Sequence, residues 1–182
     1  MRMQLFLRSI TLLLAVANFC YADEYSISVN NVGIGNNWRP GDVTPLYVTV
    51  TSKANEPTQA WLQWEVPDAD GDLVLWGRAL TIAPMGSTQA WLYAPTHGWD
   101  TGRTVWTLRL RELVDNVPTG ELGLTRFSPQ SVGASTVSNR SGLIAVCGTR
   151  RLGLAGYLPT TPEVKHENTL IVSGLNSSGL PD

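Results

Sequence analysis

Three carboxylates gather in Asp68-Ala69-Asp70-Gly71-Asp72, the way a calcium-binding loop begins. Calcium takes six to eight oxygens, and a loop of the EF-hand kind places a bidentate glutamate at its twelfth position, where Ala79 stands. Asp68, Asp70 and Asp72 therefore read first as a hairpin turn, with a metal site as the weaker alternative. Cys147, His166 and Glu167 are the residue types of a thiol hydrolase. A nucleophilic thiolate needs exposure and a lowered pKa, whereas Cys147 closes the apolar run Leu143-Ile144-Ala145-Val146 and fits a small buried residue better. The two histidines, His97 and His166, are too far apart in sequence for a zinc site of ordinary spacing. No pair stands out among the fifteen acids for glycoside hydrolysis. No catalytic set and no cofactor are expected.

The tryptophans are the other chemistry-bearing group. Trp38, Trp61, Trp64, Trp76, Trp91, Trp99 and Trp106 all fall between residues 38 and 106. Trp61, Trp91 and Tyr93 occupy polar-facing strand positions, beside Gln63 and Gln89. Exposed rings next to amides could stack on sugars, which makes these five the candidate glycan-binding residues. The competing reading has the rings cover one another across strands or pack on a neighbouring domain.

The elements that must position these residues are strands. Period-two alternation recurs in seven stretches: Tyr25 to Val32, Leu46 to Ser52, Ala60 to Val66, Leu73 to Ile82, Thr88 to Ala94, Thr104 to Leu113 and Glu121 to Phe127. Gly, Pro, Asn and Asp punctuate them, and no apolar three-and-four spacing interrupts them. The pattern predicts an all-β fold, an antiparallel sandwich of about seven strands over residues 23–130. Val48 and Val50 should face inward, as should Ala60, Leu62, Trp64 and Val66, and Thr104, Trp106, Leu108 and Leu110. Trp61, Gln63, Glu65, Val105, Thr107, Arg109 and Arg111 should face out. The segment from Gly33 to Pro45 has glycines like a phosphate loop, but Pro40, Gly41 and Pro45 forbid the helix such a loop needs, so it reads as a turn.

Thirteen Lys and Arg against fifteen Asp and Glu leave a net charge of −2 over 182 residues, with no basic surface for nucleic acid. Residues 1–22 read as a secretory signal: Arg2 and Arg8, the apolar Ile10 to Ala17, then Cys20-Tyr21-Ala22 with cleavage expected after Ala22. Its apolar run is far shorter than the roughly twenty residues of a spanning helix, so no membrane span is expected beyond the leader. Phe19 directly ahead of Cys20 disfavours a lipoprotein cut. Cleavage removes two arginines and no acid and leaves Cys147 alone, so the mature chain is mildly acidic and has no internal disulfide.

Beyond Pro129 the composition changes. Residues 131–141, rich in Ser, Thr, Val and Gly, read as a linker. From residue 142 to 182, Leu143 to Cys147 reads as a strand buried on both faces at the opening of an α/β unit, with no crossover helix and no parallel partner in sight. That portion is expected to be the incomplete start of a second domain.

Val32-Gly33-Ile34-Gly35, Trp38-Arg39-Pro40-Gly41, Thr44-Pro45 and the alternating Leu46 to Thr51 resemble the opening of large bacterial envelope proteins that begin with an immunoglobulin-like β-sandwich. In that family a class I glutamine amidotransferase-like domain follows, and a membrane helix lies near the C-terminus. Leu143 to Gly148 and Arg151-Leu152-Gly153-Leu154 resemble the lead-in to that domain, and Leu180-Pro181-Asp182 the point before its main body. The resemblance implies a domain arrangement and no activity here, because the glycine two residues before the nucleophile of true amidotransferases is replaced by Ala145.

These readings lead to an expected function: a non-catalytic, secreted or envelope-exposed sandwich module whose partner is a downstream domain or another envelope protein. The alternatives are a carbohydrate-binding module, with a glycan as ligand, and the N-terminal part of a hydrolase or amidotransferase-like protein.

Overall fold

A computed structural model describes residues 24–68, 70–97 and 105–138, together with the strands Leu143–Cys147 and Ile171–Leu175. The expected signal at 1–22, Trp99, Thr104, His166 and Glu167 lie outside the described residues.

All seven expected strands form. They are β1 (Tyr25–Val32), β3 (Val43–Ser52), β4 (Thr58–Pro67), β5 (Leu73–Ile82), β6 (Ser87–Pro95), β7 (Trp106–Val114) and β8 (Val117–Phe127), with the short β2 (Asn37–Trp38) between the first two. They divide into a three-stranded sheet of order β1-β3-β6 and a four-stranded sheet of order β5-β4-β7-β8, antiparallel throughout. The chain thus crosses between layers in the pattern of an immunoglobulin-like sandwich.

Alternation produces the core. Val48 and Val50 of β3, Ala60, Leu62, Trp64 and Val66 of β4, and Trp106, Leu108 and Leu110 of β7 are all buried between the sheets, as their spacing requires. At one end Trp106 is the hub of an aromatic cluster. Trp38, Trp64 and Phe127 each meet it edge-on, with centroids 5.2, 4.9 and 5.7 Å away.

β8 starts at Val117, four residues before the alternation from Glu121 announced it. Asp115 and Asn116 both have positive φ, 51° and 63°, and so make the two-residue turn that matches strand twist. Asp-Asn is a weaker signal for that turn than Asn-Gly, and register shifts around Arg111 blur the alternation as well.

The first two strands are joined by a tight loop rather than a phosphate cradle. Gly33, Gly35 and Asn36 all adopt positive φ. Asn31 Oδ1 accepts from the Asn36 amide at 2.8 Å, and Asn36 Oδ1 accepts from the Val32 amide at 3.2 Å. A Cβ on Gly33 would run into the Asn37 carbonyl, so only glycine fits there.

Two expectations about the later chain need correction. The 131–141 stretch is not free linker over its described part. Pro129–Val132 forms a 3-10 turn with a capping box between Ser128 and Ser131, and Gly133 closes it in the left-handed conformation. β9 (Ser135–Thr136) then pairs parallel with β2, the Val137 amide donates to the Trp38 carbonyl at 2.8 Å, and Ala134 and Val137 are buried. Composition missed this because two small apolar residues suffice to seal the end of a core already built around Trp38. Nor is β10 (Leu143–Cys147) without a parallel partner: it pairs in parallel with β11 (Ile171–Leu175), from Leu143 opposite Ile171 to Cys147 opposite Leu175.

Candidate functional site

On the outer face of the four-stranded sheet, Gln63 of β4 stands opposite Arg109 of β7, and Arg111 opposite Glu121 of β8. Arg109 Nε donates to Glu65 Oε1 and its Nη1 donates to Glu121 Oε2 at 2.6 Å, so one guanidinium clasps carboxylates from β4 and β8. The Glu65 hydrogen bond, and after it the Glu121 hydrogen bond, raise the Arg109 pKa above its ordinary value. Held charged in this way, the guanidinium keeps its contribution until the pH climbs past the usual arginine range, where it is lost. Gln63 Nε2 also donates to Glu65 Oε1, at 3.3 Å. This network spends its carboxylate oxygens on joining three strands.

Gln63 was expected to face solvent and is only 5% exposed. The neighbouring Glu65 and Arg109 cover it, a consequence of long charged side chains lying over the sheet. Trp61 does point outward and is half-buried, lying across β5 where Gly77 leaves room. A Cβ on Gly77 would come within 2.6 Å of Trp61 Nε1.

Trp91, Tyr93 and Gln89 belong to β6 and so to the other sheet. Trp91, expected at the surface, is only 4% exposed: Tyr47, directly opposite on β3, stacks on it at 4.6 Å and 20°. The Tyr47 hydroxyl then donates to Gln89 Oε1 at 2.6 Å. Tyr93 is exposed opposite Pro45. The five residues proposed for sugar stacking are therefore split between the two outer faces of the sandwich, and their ring and amide groups are largely engaged with each other or with neighbours. Tyr47 shares the parity of Thr49 and Thr51 on β3, opposite to that of the inward Val48 and Val50, and this places it on the outer face.

The aspartates make a turn. Asp68 Oδ1 accepts from the Asp70 and Asp72 amides at 2.9 and 3.0 Å, the Asp68 amide donates to the Asp72 carbonyl at 2.8 Å, and Gly71 takes φ of 91°. Among the described residues no group of three or more His, Cys, Asp or Glu side chains is placed to hold a metal ion. His97 is half-buried after β6. A cleft of about 80 Å³ lies beside Gly33, Trp38, Arg39 and Pro45, too small for a sugar. A wider, shallow depression at the opposite end is bordered by Glu24, Asn55, Glu56 and Glu112.

Among the described residues no helix is long and apolar enough to cross a membrane. Neither a protein-family model nor a curated protein matches the sequence. Solved structures show a distant likeness. A CARDB domain of the PF1109 protein from Pyrococcus furiosus, solved in complex with di-metal ions, is 10% identical, with 62% of this chain and 89% of that one aligned at a TM-score of 0.35. CsgH from R. palustris is 13% identical over 59% of this chain and 95% of its own, at 0.33. The alkylpurine DNA glycosylase AlkC from Pseudomonas fluorescens is 15% identical over 63% of this chain, at 0.34, and this chain spans only 32% of its length. What those proteins bind belongs to them.

Proposed function

We propose that the sandwich is a non-catalytic, envelope-exposed interaction module that stands ahead of a second domain. The observation that carries this reading is the change of pairing along the chain. Seven antiparallel strands close a core, the 129–137 segment seals one end of it, and the next strand, β10, pairs in parallel with β11. Parallel pairing over five residues, unlike the two-residue β2–β9 contact that closes the end of the sandwich, is characteristic of crossover-built α/β architecture. The resemblance to envelope proteins with an amidotransferase-like domain supports the same order of domains, and the signal-like sequence of residues 1–22 supports export.

Fractionation of cells making the full chain tests the location, with mass spectrometry of the exported product expected to read Asp23 as its first residue. A product retained with its leader in the cytoplasm defeats the envelope assignment. Tryptophan fluorescence during titration with oligosaccharides up to millimolar concentration should show no saturable shift. A saturable shift abolished by Trp61→Ala would favour the glycan-binding alternative instead.

A further inference from the structure

The edges of the two sheets are β1, β6, β5 and β8. An edge strand exposes unpaired N–H and C=O groups, and natural proteins blunt it with bulges, prolines, charges or a covering element. Three edges carry such devices. β1 breaks register between Val29 and Asn31, and Thr125 Oγ1 of β8 reaches across to its Ile27 carbonyl at 3.1 Å. β6 ends in Pro95 and is tied to the lower half of β5, through Arg78 Nη1 to the Trp91 carbonyl and Thr88 Oγ1 to the Thr81 carbonyl. β8 breaks register near Arg111 and carries Pro118, Gly120, Glu121 and Arg126.

Among the described residues, the upper half of β5 has none of these. It belongs to ten unbroken pairs with β4, has no proline, and its first charge is Arg78. Leu73, Leu75 and Trp76 are 67%, 58% and 38% exposed, on both faces of the strand.

We propose that this edge pairs antiparallel with the same edge of a second copy, on a two-fold axis through Leu75, which merges two four-stranded sheets into one of eight. The choice of a second copy rests on charge complementarity within the strand's own sequence. With Leu75 opposite itself, Val74 falls opposite Trp76, Leu73 opposite Gly77, and Arg78 opposite the exposed Asp72 of the second copy. Opposed residues share a face in an antiparallel pair, so each ion pair adjoins an aromatic–β-branched pair, both of which stabilise sheets. Symmetry supplies every contact twice. A one-residue slip would set Arg78 against Gly71 or Leu73 and lose the ion pairs, so the register is specified. The proposal is independent of the envelope assignment.

Sedimentation velocity on the full chain, from micromolar to submillimolar concentration, should show a reversible monomer–dimer equilibrium. Leu75→Lys places two like charges on the axis and should leave only monomer, with an unchanged far-UV spectrum and a thermal melt equal to that of the wild type when both are diluted to where the wild type is monomeric. Asp72→Arg sets arginine against arginine and should weaken dimerisation about tenfold. Arg78→Glu should do likewise, and the double variant Asp72→Arg/Arg78→Glu should return the dissociation constant to near its original value. A wild-type chain that stays monomeric throughout overturns the proposal. So does a dimer that survives Leu75→Lys, a double variant no tighter than the singles, or open-ended aggregation in place of a dimer.

Discussion

Trp64 of β4 and Trp106 of β7 meet edge-to-face inside the sandwich, their centroids 4.9 Å apart and their planes at 64°, and both are shut off from solvent. Trp38 approaches Trp106 in the same manner. The ring nitrogens of Trp38 and Trp64 are buried without a hydrogen-bond acceptor among the described residues.

Trp106→Ala should accordingly be among the most damaging single changes. Removing a buried aromatic that three other rings contact costs about 3–5 kcal/mol. Urea unfolding followed by far-UV circular dichroism measures it, and Trp106→Phe should recover roughly half or more of the loss. A cost below about 1 kcal/mol for the alanine variant would mean the cluster is not packed as described.

Gly33, between β1 and β2, and Gly41, between β2 and β3, form a matched pair for testing the backbone of these connections. Both have positive φ, 71° and 93°, but a side chain on Gly33 collides with Asn37 whereas one on Gly41 meets open space. Gly41→Ala should lose about 1 kcal/mol from backbone strain alone, and Gly33→Ala clearly more, because the β1–β2 connection must open. Equal losses would contradict the loop geometry.

Thr44 and Thr96 are buried with their hydroxyls 2.6 Å apart, across residues 44 and 96 of the same end of the sandwich. Thr44→Val alone leaves the Thr96 hydroxyl wanting a partner and should cost about 1–3 kcal/mol. Replacing both by valine removes donor and acceptor together and should cost less than the single change. A double-mutant cycle with additive losses would sink this account.

Val137 decides whether the segment after β8 belongs to the sandwich. Val137→Ser should destabilise the sandwich by about 2 kcal/mol in urea. The Val137 amide, bonded to the Trp38 carbonyl, should exchange with deuterium as slowly as the strand amides. Fast exchange there together with a silent serine variant would restore the free-linker picture.

Much of the architecture was legible in the chain order of apolar and polar residues. Val48 and Val50, Leu62 and Trp64, Leu108 and Leu110 alternate because a strand turns successive side chains to opposite faces, a local geometric fact that needs no knowledge of neighbours. Turns such as Asp68 to Asp72 were legible for a similar reason, since a short carboxylate bonds amides only two and four residues away.

What depended on neighbours was not legible. An outward position on a strand is exposed only if nothing from the adjoining strand lies over it. Trp91 is hidden by Tyr47 from 44 positions earlier in the chain, and Gln63 by Glu65 two residues along its own strand and by Arg109, which sheet pairing sets opposite it. Val137 found a place against Trp38, and β10 a parallel partner in β11, through contacts between distant parts of the sequence. Alternation along one strand is determined by the backbone of that strand. Burial of its outer face, register between strands and the fate of an edge are determined by which strands the tertiary fold sets side by side.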